Sequence, residues 1–104
     1  MALYITNTIR IKPGHVQEYL AWVPKVIPIY EKYGVKFHGA FQAAAGEGNT
    51  AVYLVSMRDF AAYEDAVQKM QADTAFQAAQ REGGNHIDGN VIQLLVSLPG
   101  SAMQ

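Results

Sequence analysis

Residues 50–58 read Thr50-Ala51-Val52-Tyr53-Leu54-Val55-Ser56-Met57-Arg58. In an extended chain Tyr53, Val55 and Met57 fall on one side, while Val52 and Leu54 fall on the other. β-Branched and aromatic residues in a run this short predict a strand. Apolar residues on both of its sides predict a sheet that is covered on both faces. The last apolar stretch, Ile87 to Leu98, repeats the pattern: Ile92, Leu94, Val96 and Leu98 lie opposite Val91 and Leu95. It is broken early by Gly89 and ended by Pro99-Gly100.

Upstream of residue 50, Gly46-Glu47-Gly48-Asn49 reads as a hairpin turn, because glycine and asparagine tolerate positive φ. It joins the third strand to a second one, Val35 to Ala44, in which Val35, Phe37, Gly39 and Phe41 oppose Lys36, His38, Ala40 and Gln42. The first strand is Leu3 to Ile11. Leu3, Ile5, Ile9 and Ile11 share one side, and Tyr4, Thr6, Thr8 and Arg10 share the other, until Lys12-Pro13-Gly14 stops it. From His15 the period changes to steps of three and four: Val16, Tyr19, Leu20, Val23, Val26, Ile27 and Tyr30 make one helical stripe that Gly34 ends. Pro24 and Pro28 lie inside it, and each removes a donor and crowds the carbonyl four residues back, so a kink or an interruption is expected.

Downstream, Asp59 suits an N-cap for a helix carrying Phe60, Tyr63, Val67 and Met70, with Ala61, Ala62, Ala66 and Ala72 favouring that state. Asp73 looks like a second cap, restarting a short helix through Phe76 and Ala79 to Glu82, which Gly83-Gly84-Asn85 closes. The order is β-α-β-β-α-β. It predicts an α+β, ferredoxin-like fold: a four-stranded antiparallel sheet with its helices on one face. One layer of helices hides one face, yet the third and fourth strands are greasy on both. A second copy of the same sheet is the simplest cover, so a two-fold homodimer through the sheet face is expected.

At 104 residues the whole chain, 1–104, is expected to be one domain, with a flexible tail over 99–104. Half of the residues are hydrophobic and 16% are charged, enough apolar surface for a core. A net charge of −1 gives no attraction for phosphate backbones, so no nucleic-acid partner is expected. With no cysteine there is no disulfide, thiolate nucleophile or sulfur-ligated metal. No apolar run approaches the roughly 18–20 residues of a membrane span, so no membrane insertion is expected. Met1-Ala2-Leu3-Tyr4 does not read as a secretory signal, and the expected location is cytoplasmic.

The residues that could carry chemistry are few. His15, His38 and His86 share no i, i+3 or i, i+4 spacing, so no metal site is expected. Ser56, Ser97 and Ser101 lie in no nucleophile motif, and Gly46-x-Gly48 is a turn rather than a phosphate cradle. The carboxylates fall mostly at caps, turns and helix surfaces. Arg10 and Arg58 end strands, where they suit pairing with acids or an anionic molecule. Trp22 lies off the main stripe of the first helix, which suits packing or an interface.

Asn7 stands out. It interrupts the apolar side of the first strand between Ile5 and Ile9, where an unpaired amide costs roughly 1–3 kcal/mol. Tyr53 on the third strand, and Tyr19 and Tyr63 on the helical stripes, could bring hydroxyls to it. Asn7, Tyr19, Tyr53 and Tyr63 are therefore the candidate ligand-binding residues, an apolar setting with a few converging polar groups. The plainer alternative is an amide satisfied by a neighbour or a water, with the tyrosines as core.

Several pieces resemble the NIPSNAP family within the dimeric α/β-barrel superfamily: the first strand running into Lys12-Pro13-Gly14, Glu18-Tyr19-Leu20, Pro28, Gly39-x-Phe41, Gly46-x-x-Asn49, Val52-x-Leu54 and Asp73-x-x-Phe76. They cover most of residues 4–80. The family often carries arginine where this chain has Asn7 and aromatics where it has Val55 and Met57, and its Asp-Pro-x-Trp is Asp73-Thr74-Ala75-Phe76 here. The resemblance implies two ferredoxin-like sheets packed as a dimeric barrel, with a pocket between helices and sheet in each protomer. NIPSNAP proteins have no agreed reaction. Similar barrels include cofactor-independent monooxygenases, heme-degrading monooxygenases and small isomerases. The heme-degrading type pairs a strand asparagine with a later tryptophan and a histidine on the second helix. This chain has Asn7, but its one tryptophan lies in the first helix and residues 59–82 hold no histidine. No cofactor is expected. The function expected is a homodimer binding a small apolar or aromatic molecule, as a cofactor-independent oxygenase or isomerase. The alternative is a non-catalytic protein-interaction or stress-related module with no pocket. A continuous cavity lined by Asn7 and two tyrosines separates the first from the second.

Overall fold

Alternation sets the first strand, β1 (Leu3–Ile11), and it forms over the residues that alternate. The structure, a computed structural model, describes residues 2–46 and 48–103. After β1 come α1 (Val16–Lys32), β2 (Lys36–Gln42), β3 (Thr50–Met57), α2 (Phe60–Ala72), α3 (Thr74–Gly84) and β4 (Ile87–Leu95). The strands make one antiparallel sheet in the order β2-β3-β1-β4. This is the ferredoxin-like layout, with the second helical region split in two at Asp73. The Asp59 carboxylate accepts from Ala62 N at 2.8 Å and starts α2. Asp73 accepts from Ala75 N at 2.8 Å and Phe76 N at 3.3 Å and starts α3. The hairpin turn uses positive φ at Gly46 (+89°) and Asn49 (+56°); Glu47, between them, lies outside the described residues.

On the helix-facing side of the sheet, Leu3, Ile5, Ile9 and Ile11 of β1 meet Ala51, Val55 and Met57 of β3, all buried. Burying a large aliphatic side chain stabilises by about 1.5–3 kcal/mol, so this row anchors the helices. The buried residues form two clusters. Leu3, Ile5, Val55, Met57 and Met70 lie at one end, and Ile9, Ile11, Tyr19, Trp22 and Val26 at the other. Asn7 sits between the clusters, opposite Tyr53 on one side and Ile92 on the other.

Three local expectations are corrected, and of the kink or interruption expected in α1 the interruption does not occur. α1 runs without interruption through Pro24 and Pro28. Both prolines are exposed, so water can serve the carbonyls whose donors they remove. Leu20 of the same stripe is exposed too, at 49%. β4 ends at Leu95 rather than Leu98. In β2 the register slips between Phe37, opposite Val55, and Gly39, opposite Leu54. The extra residue, His38, moves Gly39 and Phe41 to the face away from the helices, because one inserted residue reverses a two-residue alternation. Phe41 stands 62% exposed there.

That outer face carries Thr6 and Thr8 of β1, Val52 and Leu54 of β3, and Val91 and Leu95 of β4. Val91 is 58% and Leu95 38% exposed. The helices also stop short of the inner face of β4, where Ile92 and Leu94 remain 53% and 42% exposed. Beyond β4 the chain turns on itself: Ser101 N donates to Leu98 O at 3.0 Å, and Ser97 Oγ donates to Met103 O.

Candidate functional site

Because Asn7 and Tyr53 face each other mid-sheet, the two apolar clusters do not close over that row, and a cavity of about 320 Å³ lies above it. This is the small end of ligand pockets, which run roughly 300–1,000 Å³. Ile5, Ile9, Val55 and Ile92 surround Asn7 and Tyr53 on its floor. α1 contributes Tyr19, Trp22, Val26 and Tyr30; α2 contributes Tyr63, Val67 and Met70; Phe37 and Phe76 close the far end. The four residues singled out from sequence thus line one space.

The polar groups are arranged in pairs. Tyr19 and Tyr53 join their hydroxyls at 2.5 Å, and Tyr19 is wholly buried. Desolvation pushes the Tyr19 hydroxyl far above its ordinary pKa of 10.0, and the bond to Tyr53 adds to the shift. Burial also raises Tyr53, but there the bond with Tyr19 opposes the rise. Both are neutral at physiological pH. Either hydroxyl can donate in this pair, and when Tyr19 donates, the Tyr53 hydrogen is left for an occupant. Tyr30 is raised by burial as well, with Gln80 opposing. Asn7 Oδ1 accepts from Asn90 Nδ2 at 3.2 Å across the β1–β4 pair. Among the described residues Asn7 makes no bond to Tyr19, Tyr53 or Tyr63, which corrects the expectation that hydroxyls serve it. Its other amide atom is free to meet a guest. Among the described residues the lining contains no Asp, Glu, His, Lys or Arg side chain.

Sequence reasoning passed over Tyr30, Gln71 and Gln80 in the lining, and Asn90 behind it. Tyr30 was detectable as the next member of the α1 stripe; Asn90 carried no local signal. Trp22 is a packing residue and also a cavity wall: its Nε1 donates to Ala79 O at 2.9 Å and its ring rests on Gly83 of α3. Two of the histidines come together, His15 Nδ1 and His86 Nδ1 at 3.1 Å, although 71 residues separate them. His38 Nε2 lies 2.6 Å from Ser56 Oγ. Neither pair lines the cavity. Among the described residues no three His, Cys, Asp or Glu side chains are grouped to hold a metal ion, and no helix is long and apolar enough to cross a membrane.

The NIPSNAP family pattern matches residues 4–102. The chain belongs to the NIPSNAP family. Its fold is similar to a NIPSNAP family protein from Agrobacterium tumefaciens (TM-score 0.92, 19% identity, all of both chains covered). It is also similar to an uncharacterized NIPSNAP domain protein from Burkholderia xenovorans (TM-score 0.87, 21% identity, 95% of this chain and 97% of that one). A more distant similarity is to SnoaB, a cofactor-independent oxygenase from Streptomyces nogalater (TM-score 0.72, 12% identity, 99% and 98% covered). No curated protein matches in sequence. At these identities the likeness is one of fold. Asn7, Val55, Met57 and Phe76 all line the cavity.

Proposed function

We propose that this NIPSNAP protein binds a small apolar or aromatic molecule carrying a carbonyl, enol or phenol oxygen, held in the cavity between helices and sheet. The observation that carries the reading is that Asn7 and Tyr53 on the sheet floor and Tyr19 on α1 line one mostly apolar cavity. The free amide atom of Asn7 and the Tyr53 hydroxyl would meet the oxygen, while Ile5, Ile9, Val26 and Val55 would exclude water from the rest.

The same lining limits what turnover it could host. General acid–base catalysis needs a group that exchanges a proton near the working pH. Among the described residues no carboxylate or histidine lines the cavity, and the lining tyrosines that shift do so upward. An isomerisation that requires a resident base does not suit it. Cofactor-independent oxygenation suits it better, when the substrate loses its proton to solvent before it is enclosed, dioxygen is the oxidant, and the protein holds the enolate or phenolate by hydrogen bonds from Tyr53 and Asn7. The fold likeness to SnoaB is compatible with this order of preference.

We further propose that the working unit is a homodimer through the outer sheet face. Val52, Leu54, Val91, Leu95 and Phe41 supply apolar cover there, and Thr6 and Thr8 make the interface partly polar.

Trp22 is the only tryptophan and it lines the cavity, so its fluorescence reports occupancy directly. A panel of small phenols and aromatic ketones should give saturable quenching together with a rise in Tm, since a ligand that binds the native state stabilises it by mass action. Asn7→Leu should weaken binding about tenfold, the effect of losing one hydrogen bond to a buried oxygen, while the fold holds. If Asn7→Leu stabilises the protein and leaves every affinity unchanged, Asn7 is a core amide and the site reading falls.

A further inference from the structure

A second space adjoins the cavity across residues of α2. Phe60, Tyr63 and Val67 follow one another at steps of three and four, one face of α2. That face overlooks the inner face of β4, which the helices leave uncovered. Between them runs a second, more open groove of about 390 Å³, bounded by Phe60, Tyr63, Val67 and Leu94. Tyr63 and Val67 belong to both spaces. Ile92, on the cavity floor, and Leu94, in the groove, are successive residues on one face of β4. Groove and cavity therefore meet along a shared apolar wall, with Tyr63 at the junction.

Polarity changes along this path. The Asn7 and Tyr19–Tyr53 groups lie at the inner end, and the outer stretch is bounded by apolar side chains, with Glu64 and Gln68 also at its rim. Phe60 is 56% and Leu94 42% exposed, more open greasy surface than a finished wall would leave. From Phe60 to Val67 the helix advances roughly 10 Å, enough for a chain of several methylenes laid along it.

We propose that the ligand is an amphiphile: an oxygen-bearing head sits between Asn7 and Tyr53, and an unbranched apolar tail passes Tyr63 and lies in the groove between α2 and β4. This rests on the cavity reading above and adds the class of molecule. Tyr63 then acts as a gate residue that contacts the tail rather than the reacting oxygen.

The probe is a series of 4-alkylphenols from ethyl to octyl, titrated against the full-length protein by Trp22 fluorescence, with Leu94→Asn and Phe60→Ser in parallel. Each buried methylene contributes about 0.8 kcal/mol, or about fourfold in Kd. Affinity should keep rising by about that factor after the cavity itself is filled. Leu94→Asn and Phe60→Ser, both at exposed positions, should abolish the gain for hexyl and octyl while leaving ethylphenol within twofold. A plateau after the shortest members overturns the tail subsite and leaves the cavity reading standing; a groove already filled by a partner's C-terminal segment would give that result. Equal weakening of short and long members by Leu94→Asn also overturns it. If no member of the series binds, both readings fall.

Discussion

Replacing glycine by alanine inside a helix ordinarily stabilises a protein, by up to about 1 kcal/mol in a helix interior. Gly83→Ala should do the opposite here. Gly83 is buried near the end of α3, and a methyl group built on it would stand 2.6 Å from Cε2 and 2.7 Å from Cη2 of Trp22. Real Cβ atoms essentially never come within 3.0 Å of a neighbour, so the indole or α3 must move. Trp22 is only 6% exposed, with Tyr19 packed beside it at a ring-centroid distance of 5.7 Å. Its Nε1 bond to Ala79 O fixes the ring to the helix that would push it. Overpacking costs about 1–3 kcal/mol and a broken buried hydrogen bond about 1 kcal/mol more. Against a helix gain of under 1 kcal/mol at the last turn, the net loss is about 1–3 kcal/mol. At roughly 4–8 °C per kcal/mol for a domain of this size, Tm should fall by about 5–20 °C. Urea and thermal melts at fixed protein concentration, followed by far-ultraviolet circular dichroism, measure the loss. Trp22 emission should shift as the ring moves toward the cavity. Gly84→Ala is the control: the next position has nothing within 4 Å and should be neutral or slightly stabilising. If Gly83→Ala matches Gly84→Ala in stability and leaves the emission unchanged, the close packing of α1 on α3 is wrong.

The Tyr19–Tyr53 pair makes a double-mutant cycle. Tyr53→Phe or Tyr19→Phe alone should cost about 1–3 kcal/mol by orphaning the surviving hydroxyl, and the double variant should recover much of that in urea melts. A hydroxyl whose folded pKa is raised contributes stability that is present below its unfolded pKa near 10.0 and lost as pH rises above it. The wild type should therefore lose stability above pH 10, and the double variant should lose less. Asp73 titrates with the opposite sign. The Tyr33 hydroxyl, donating at 2.5 Å, and the capped amides of Phe76 and Ala75 hold its carboxyl below the ordinary 3.8. Its contribution is present above that value and lost as pH falls below it, so Asp73→Asn should flatten the acid limb of the stability curve while the side-chain oxygen still caps α3.

Features that depend on near neighbours in the chain were legible before any coordinates. The alternation of Leu3 to Ile11 located β1, and Asp73 divided the second helical region because a short carboxylate before an alanine-rich run has one good use. Asn7 was conspicuous because an amide breaks an apolar row. What could not be read depends on partners far away in sequence. Phe41 alternates correctly with Phe37 until His38 adds a residue to β2, and nothing in Lys36 to Gln42 marks that insertion. His15 and His86 meet only once α1 and the start of β4 are placed. Asn90 becomes the partner of Asn7 through the β1–β4 register, 83 positions away. The cavity itself is a missing volume, and a sequence lists what is present.

That missing volume is the physical difficulty with any account in which the chain has only a structural role. Cavity formation in a core costs about 24 cal/mol per Å³. A closed, dry void of about 320 Å³ would cost on the order of 8 kcal/mol at that rate, comparable with the whole stability of a small domain, roughly 5–15 kcal/mol. Admitting solvent relieves part of that cost, but water entering the space finds polar partners only where Asn7, the tyrosines, Gln71 and Gln80 interrupt a mostly apolar lining. Larger side chains at Val23, Val26, Val55 or Val67 would fill the space with no new backbone geometry. Five valines around one void, beside an amide and a hydroxyl pair that an apolar core would not need, are better explained by an occupant that leaves and returns than by packing alone.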